Sequence, residues 1–232
     1  MIPFKPFDKI PRLNRLCTIT EKIDGTNGII HIGPYVDHTA FGPNAPLTQI
    51  NGHEVWAGSR TRWIKPGSDN HGFAAWVLTN AEELVAKLGE GTHYGEWWGA
   101  GIQRGYGLTE KRFSLFNTAR WGDAAVRPAC CSVVPTLWEG LFSSGHVQMA
   151  LERLARFGSH AAPSFPNPEG IVVYHHAANS LFKATIVGDE EGKHADAHPK
   201  KIREPKPPRD PSKGGRRKEQ LPFDGLDRRK PK

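Results

Sequence analysis

Short β-rich apolar runs alternate with polar turn clusters along most of the chain, and strand patterns outnumber helical ones. Leu16 to Ile23 and Gly28 to Ile32 are two such runs, parted by Asp24-Gly25-Thr26-Asn27, a turn cluster that predicts a hairpin. Further strands are expected over 55–60, 92–98, 112–117, 133–139, 170–175 and 181–187. Two segments space their apolar residues as helices do. Phe73 to Leu88 follows the capping residues Ser68-Asp69-Asn70, and His146 to Phe157 follows Ser143-Ser144 and stops at Gly158. Long strands with two interspersed helices predict an α+β architecture of packed antiparallel sheets with flanking helices. No internal repeat is present.

Composition and charge divide this picture in two. The 232 residues carry a net charge of +7, and 11 Lys/Arg against 5 Asp/Glu fall in residues 203–232. That stretch has six prolines and only Leu221, Phe223 and Leu226 as large apolar residues. It buries too little to offset its ordering entropy, so a folded domain over 1–192 and a basic, Pro-rich, disordered tail over 193–232 are expected. Such a tail can tether nucleic acid by neutralising phosphates without reading sequence, or serve only solubility or targeting. No apolar run approaches the roughly 18 residues of a membrane span, and no signal peptide is expected. Cys17, Cys130 and Cys131 form no Cys-x-x-Cys pair, which fits a reduced, cytoplasmic protein with buried thiols.

Chemistry enters at the turn after the first run, Glu21-Lys22-Ile23-Asp24-Gly25-Thr26-Asn27-Gly28. A Lys-x-Asp-Gly match alone is weak, since a lysine beside a glycine turn is commonplace. Its followers matter more: Gly58-Ser59-Arg60, Tyr94-Gly95-Glu96-Trp97, Phe113-Ser114-Leu115-Phe116-Asn117, Pro168-Glu169-Gly170-Ile171-Val172-Val173 and Leu181-Phe182-Lys183-Ala184-Thr185. In order and spacing this series resembles motifs I, Ia, III, IIIa, IV and V of the covalent nucleotidyltransferases: DNA ligases, RNA ligases and capping enzymes. The resemblance covers about residues 16–187. The flanking Gly25-Thr26-Asn27 and the form Gly95-Glu96-Trp97-Trp98-Gly99 are most similar to RNA ligases of the RNA ligase 2-like group.

The resemblance implies an ATP-grasp-like adenylation domain in which Lys22 attacks the α-phosphate of ATP and carries AMP. A lysine attacks only as its neutral amine, and nearby positive charge disfavours the ammonium form. Lys183 and a bound Mg²⁺ or Mn²⁺ are the expected sources of that charge. Nucleotide contacts are implied for Glu21 (through its backbone), Asn27, Arg60, Glu96 (ribose), Phe116 (stacking on adenine) and Lys183, with Glu169 supporting the metal. AMP would then pass to a 5′-phosphate, and a 3′-hydroxyl would seal the strand. The implied partner is RNA with those ends, in a nicked duplex or otherwise, with a monomeric ligase and no membrane.

Two departures stand out. Motif V usually has a second lysine where this chain has Thr185, and the polar stretch after Val187 leaves no room for the second module such enzymes usually append. A minimal ligase is therefore expected. A DNA ligase, a GTP-using guanylyltransferase and a non-catalytic nucleic-acid-binding relative are the alternatives. His175-His176 and residues 194–198 read as surface histidines, and Trp97-Trp98, with Arg104 and Tyr106, as base-stacking or core residues.

Overall fold

The computed structural model describes residues 2–36, 45–69 and 71–187. The chain divides into a unit of residues 1–190 and a second of 191–232, and the second lies outside the described residues, as do the expected basic tail and the histidines at 194–198. No helix among the described residues is long and apolar enough to cross a membrane.

Among the described residues, ten strands form two sheets. They are β1 (Leu16–Lys22), β2 (Thr26–Pro34), β3 (Thr48–Ile50), β4 (His53–Gly58), β5 (Gly91–Gly99), β6 (Lys111–Leu115), β7 (Cys131–Val133), β8 (Thr136–Leu141), β9 (Gly170–His175) and β10 (Ser180–Thr185). A four-stranded sheet runs β10-β9-β1-β8, and a six-stranded one runs β3-β4-β2-β5-β6-β7. All pairings are antiparallel except β6 with β7. The helices are α1 (Phe73–Thr79), α2 (Ala81–Leu88), α3 (Thr118–Trp121) and α4 (Ser144–Phe157).

Side-chain alternation sorts the faces. In β1, Cys17 and Ile19 pack with Ile171 and Val173 of β9 against Ala150 and Leu154 of α4. Thr18, Thr20 and Lys22 therefore lie on the opposite, front face. In the larger sheet Ile30, Ile32, Val55, Ala57, Trp97 and Phe113 join Phe73, Val77, Leu84 and Leu88 in the main core behind it. A third cluster, Ile23, Trp98, Tyr106, Val134 and Ala162, fills the junction where the chain crosses between sheets.

Three differences from the sequence pattern have physical causes. The expected hairpin of 16–23 with 28–32 does not form. Asp24-Gly25 carries the chain from one sheet to the other, because β1 finds β8 and β9 as neighbours and β2 finds β4 and β5. The expected strand 133–139 splits at Val134-Pro135, where proline has no amide to offer a ladder, and its halves enter different sheets. The helix expected over 73–88 breaks at Asn80, whose amide still bonds the Trp76 carbonyl while α2 starts from it. Its capping is as expected in part, since Asp69 Oδ2 accepts from the Ala74 amide at 2.6 Å. Of the thiols, Cys17 and Cys131 are buried and Cys130 is half-buried.

Candidate active site

Lys22 ends β1 and lies half-buried on the front face of the smaller sheet, where Nζ donates to Glu169 Oε2 at 2.5 Å. Register explains the pairing. Lys22 stands opposite Gly170, the residue after Glu169, and Gly170 stands opposite Thr185. Lys183 is two residues from Thr185 and so shares the face of Lys22; it is exposed and makes no hydrogen bond or ion pair among the described residues. Thr185 Oγ1 donates to the Val187 carbonyl at 3.0 Å. The ion-pair partner of Lys22 is thus the acid Glu169.

The front face of the larger sheet carries the next group. Asn27 stands opposite Glu96, and Glu96 opposite Ser114. Glu96 Oε1 accepts from the Gly25 amide at 3.0 Å, which ties the turn after Lys22 to β5. Burial pushes the Glu96 carboxyl up to about 7; Lys22 and the Gly25 amide oppose the rise, while Glu169 and Asp24 add to it. These mutual influences place Lys22, Asp24, Glu96 and Glu169 in one electrostatic neighbourhood. Phe116 follows β6, its amide bonded to the Tyr94 carbonyl at 3.0 Å and its ring 40% exposed.

The raised Glu96 carboxyl carries a stability prediction. A group protonated more firmly in the folded than in the unfolded chain stabilises fully below its unfolded value, and that contribution is lost as pH rises through its folded value. For Glu96 the window runs from about 4.5 to about 7. Glu96→Gln keeps an acceptor for Gly25 and cannot ionise. It is expected to be about 2–3 kcal/mol more stable than the wild type at pH 8, and nearly equal to it at pH 4.5. Urea titrations at both values check this; a constant difference across the range would exclude it.

Glu21 turns the other way. Its carboxylate is buried on the α4 side of the sheet, accepting from Ser159 Oγ at 2.6 Å, the His160 amide at 2.8 Å and the Ala161 amide at 2.9 Å. Hydrogen bonds to a charged group contribute roughly 1.5–3 kcal/mol each, enough to hold a carboxylate there. Its backbone amide donates to the Pro135 carbonyl at 2.9 Å. Arg60 sits in a turn that the Ser59 amide closes on the Arg62 carbonyl at 2.8 Å; it is exposed and makes no hydrogen bond among the described residues. The structure therefore gathers Lys22, Glu96 and Glu169, sets Asn27 beside Glu96 on β2, leaves Arg60 and Lys183 reaching outward, and puts the Glu21 side chain behind the sheet.

Other residues shape the site without a motif to announce them. Arg104 Nε donates to Asp24 Oδ2 at 3.0 Å and its Nη1 to the Asn167 carbonyl at 3.0 Å, strapping the Lys22 turn to the loop before Glu169. Tyr106, buried, accepts the Asp24 amide at 2.8 Å. Trp97 and Trp98 are core residues; the Trp98 indole donates to Ser114 Oγ at 2.9 Å. The signal available in sequence was the glycine-dense run 99–107, in which Gly99, Gly101, Gly105 and Gly107 take positive φ, as do Gln103 and Tyr106. His175 is a correction: it is buried, with Nε2 2.7 Å from the Leu13 carbonyl and Nδ1 accepting from the Ala178 amide, whereas His176 is exposed.

Comparison with known proteins gives a family. No curated protein matches the chain. Solved structures that match include variants of a Naegleria gruberi RNA ligase. One with ATP and manganese is 16% identical, with a TM-score of 0.48, over 75% of this chain and 50% of that one. Another, with AMP and manganese, is 17% identical with a TM-score of 0.47 over the same shares. This chain spans about half the length of those structures. The RNA ligase family model matches residues 15–185, from the start of the first strand to the end of the last. On that match, the chain belongs to the RNA ligase family.

Proposed function

We propose that this chain is an ATP-dependent RNA ligase in which Lys22 becomes adenylated and AMP passes on to an RNA 5′-phosphate. The observation that carries this is Lys22 held at 2.5 Å from Glu169 on an open sheet face, within electrostatic reach of Glu96. The neutral Lys22 amine attacks the α-phosphorus of ATP. A nitrogen–phosphorus bond forms, the bond to the bridging oxygen breaks, and pyrophosphate leaves with that electron pair. The RNA 5′-phosphate then takes AMP from Lys22, and a 3′-hydroxyl displaces AMP to form the phosphodiester.

Glu169 is the ion-pair partner of the nucleophile. In the ligand-free site it neutralises the Lys22 ammonium. Glu169 is also the residue that would hold a divalent cation, and a carboxylate engaged there would no longer be the counter-charge of Lys22. Mg²⁺ or Mn²⁺ supplies charge that offsets the phosphate oxygens. Among the described residues no three His, Cys, Asp or Glu side chains form a metal cluster. A hard cation would instead be held by one or two carboxylates, water and substrate phosphates, with Glu169 as the protein ligand. In this reading Glu96 contacts the ribose, Asn27 helps place metal-bound water, Phe116 stacks on adenine, and Arg60 and Lys183 bind phosphates.

Incubating the protein with Mg²⁺ and α-labelled ATP or GTP tests the reading. Acid-stable label from ATP alone is expected. Label from GTP alone would favour a guanylyltransferase, and no label from either would end the enzymatic reading. Nicked duplexes with ribose or deoxyribose at the 3′ end then decide RNA against DNA, and faster sealing of the ribose end is expected.

A further inference from the structure

The turn Ser59-Arg60-Thr61-Arg62 returns the chain so that Trp63 bridges back to Gly58 and lies across it. A Cβ added at Gly58 would sit 3.1 Å from the Trp63 ring, so glycine at 58 leaves room for the indole to lie flat on the sheet. Trp56 stands opposite His31, and Gly58 opposite Ile29, so these residues share the front face with Asn27 and Glu96. The Trp56 and Trp63 rings are 5.5 Å apart, and His31 is 6.2 Å from Trp63. Trp63 is 46% exposed. Beside the two tryptophans, at the sheet edge, opens a cavity of about 190 Å³ lined also by Leu47, Ile64, Lys65 and Ser68.

We propose that Trp63, backed by Trp56, is a stacking site for one base of the RNA strand to be joined. Three observations select this occupant. An exposed indole presents a flat aromatic face, which stacks on any base. The exposed charges of residues 53–68 are of one sign, Arg60, Arg62 and Lys65; Glu54 is buried with its oxygens facing the Val36 amide and the Trp56 indole, and Asp69, next along the chain, accepts from the Ala74 amide. A base on the ring and its phosphates on these cations match that pattern. The platform is also continuous with the candidate active site, on the same sheet face and one turn from Arg60. The inference rests on the ligase reading for the identity of the strand, and not for the binding itself.

Anisotropy of a short, 3′-labelled, 5′-phosphorylated RNA, titrated with full-length protein without ATP, is the test. Trp63→Ala is expected to weaken Kd about tenfold, and Trp63→Phe by no more than about threefold. A strand carrying one abasic site at the stacked position should weaken wild-type binding similarly and no longer distinguish Trp63→Ala. Trp63→Leu, which keeps apolar cover over Gly58 without a ring, repeats the comparison should alanine unfold the protein; it should bind like the alanine variant. Equal affinity of wild type and Trp63→Leu, or an alanine penalty that persists at every abasic position, would overturn the site. Wild-type protein that binds through Trp63 yet takes no label from ATP supports the site and defeats the ligase reading alone.

Discussion

Lys22→Ala and Lys22→Arg are both expected to lose acid-stable label from ATP by roughly a thousandfold or more, for different reasons. Alanine removes the amine and strands Glu169 without its partner. Arginine restores a cation that can reach Glu169, but it stays charged at any accessible pH and cannot attack phosphorus. The pair therefore separates chemistry from structure. Both side chains of the ion pair are partly exposed, at 24% and 19%, so the pair contributes only modestly to stability, and Lys22→Arg should unfold close to wild type. Label remaining on the arginine variant, or mapping to a lysine other than Lys22, would remove Lys22 from the mechanism.

The second large effect is structural. Gly170→Ala should cost about 3–5 kcal/mol, a large fraction of the roughly 5–15 kcal/mol by which folded domains are stable. Gly170 has φ +159, and a Cβ there would collide with the Ala184 carbonyl oxygen and come within 2.7 Å of the Thr185 Cα. Backbone on a neighbouring strand cannot rotate away as a side chain can. β9 and β10 would have to part at the row that joins Lys22, Gly170 and Thr185. Urea unfolding measures the loss; a change under about 1 kcal/mol would mean that the strands do not approach so closely.

The sequence showed some of this plainly. α4 was legible at both ends, because Ser143 Oγ accepts from the Gly145 amide and Gly158 ends the last turn, and local residues suffice for both. Most strands were readable from their apolar runs, and the α+β class followed. Partnership was not readable. Asp24-Gly25-Thr26-Asn27 has the chemistry of a hairpin turn, yet long-range pairing with β5, β8 and β9 outweighs that local preference. β3, three residues long, was too short to signal. At the site, ordered motifs named Lys22, Glu96 and Glu169, and the fold brings these three together. They could not reveal that Lys22 rests on Glu169, that the Glu21 carboxylate lies behind the sheet, or that Arg104 straps two loops. Those facts depend on contacts across some 60 to 150 positions of sequence.

β1 is a central strand made early whose neighbours are made late. Both of its partners, Thr136–Leu141 and Gly170–His175, come more than a hundred residues after it. At roughly 5–20 residues per second of synthesis, the strand that ends in Lys22 waits about 7–30 s for Gly170 to be added. Until then Cys17 and Ile19 lack β9, and for most of that wait they lack α4 as well. The larger sheet can begin to assemble meanwhile, since β2 to β6 are nearly contiguous. Translation that stalls before residue 170 would release chains with a bare apolar strand, the kind of intermediate that chaperones recognise and that aggregates when they do not. Lys22 is thus made well before the strands that seat it.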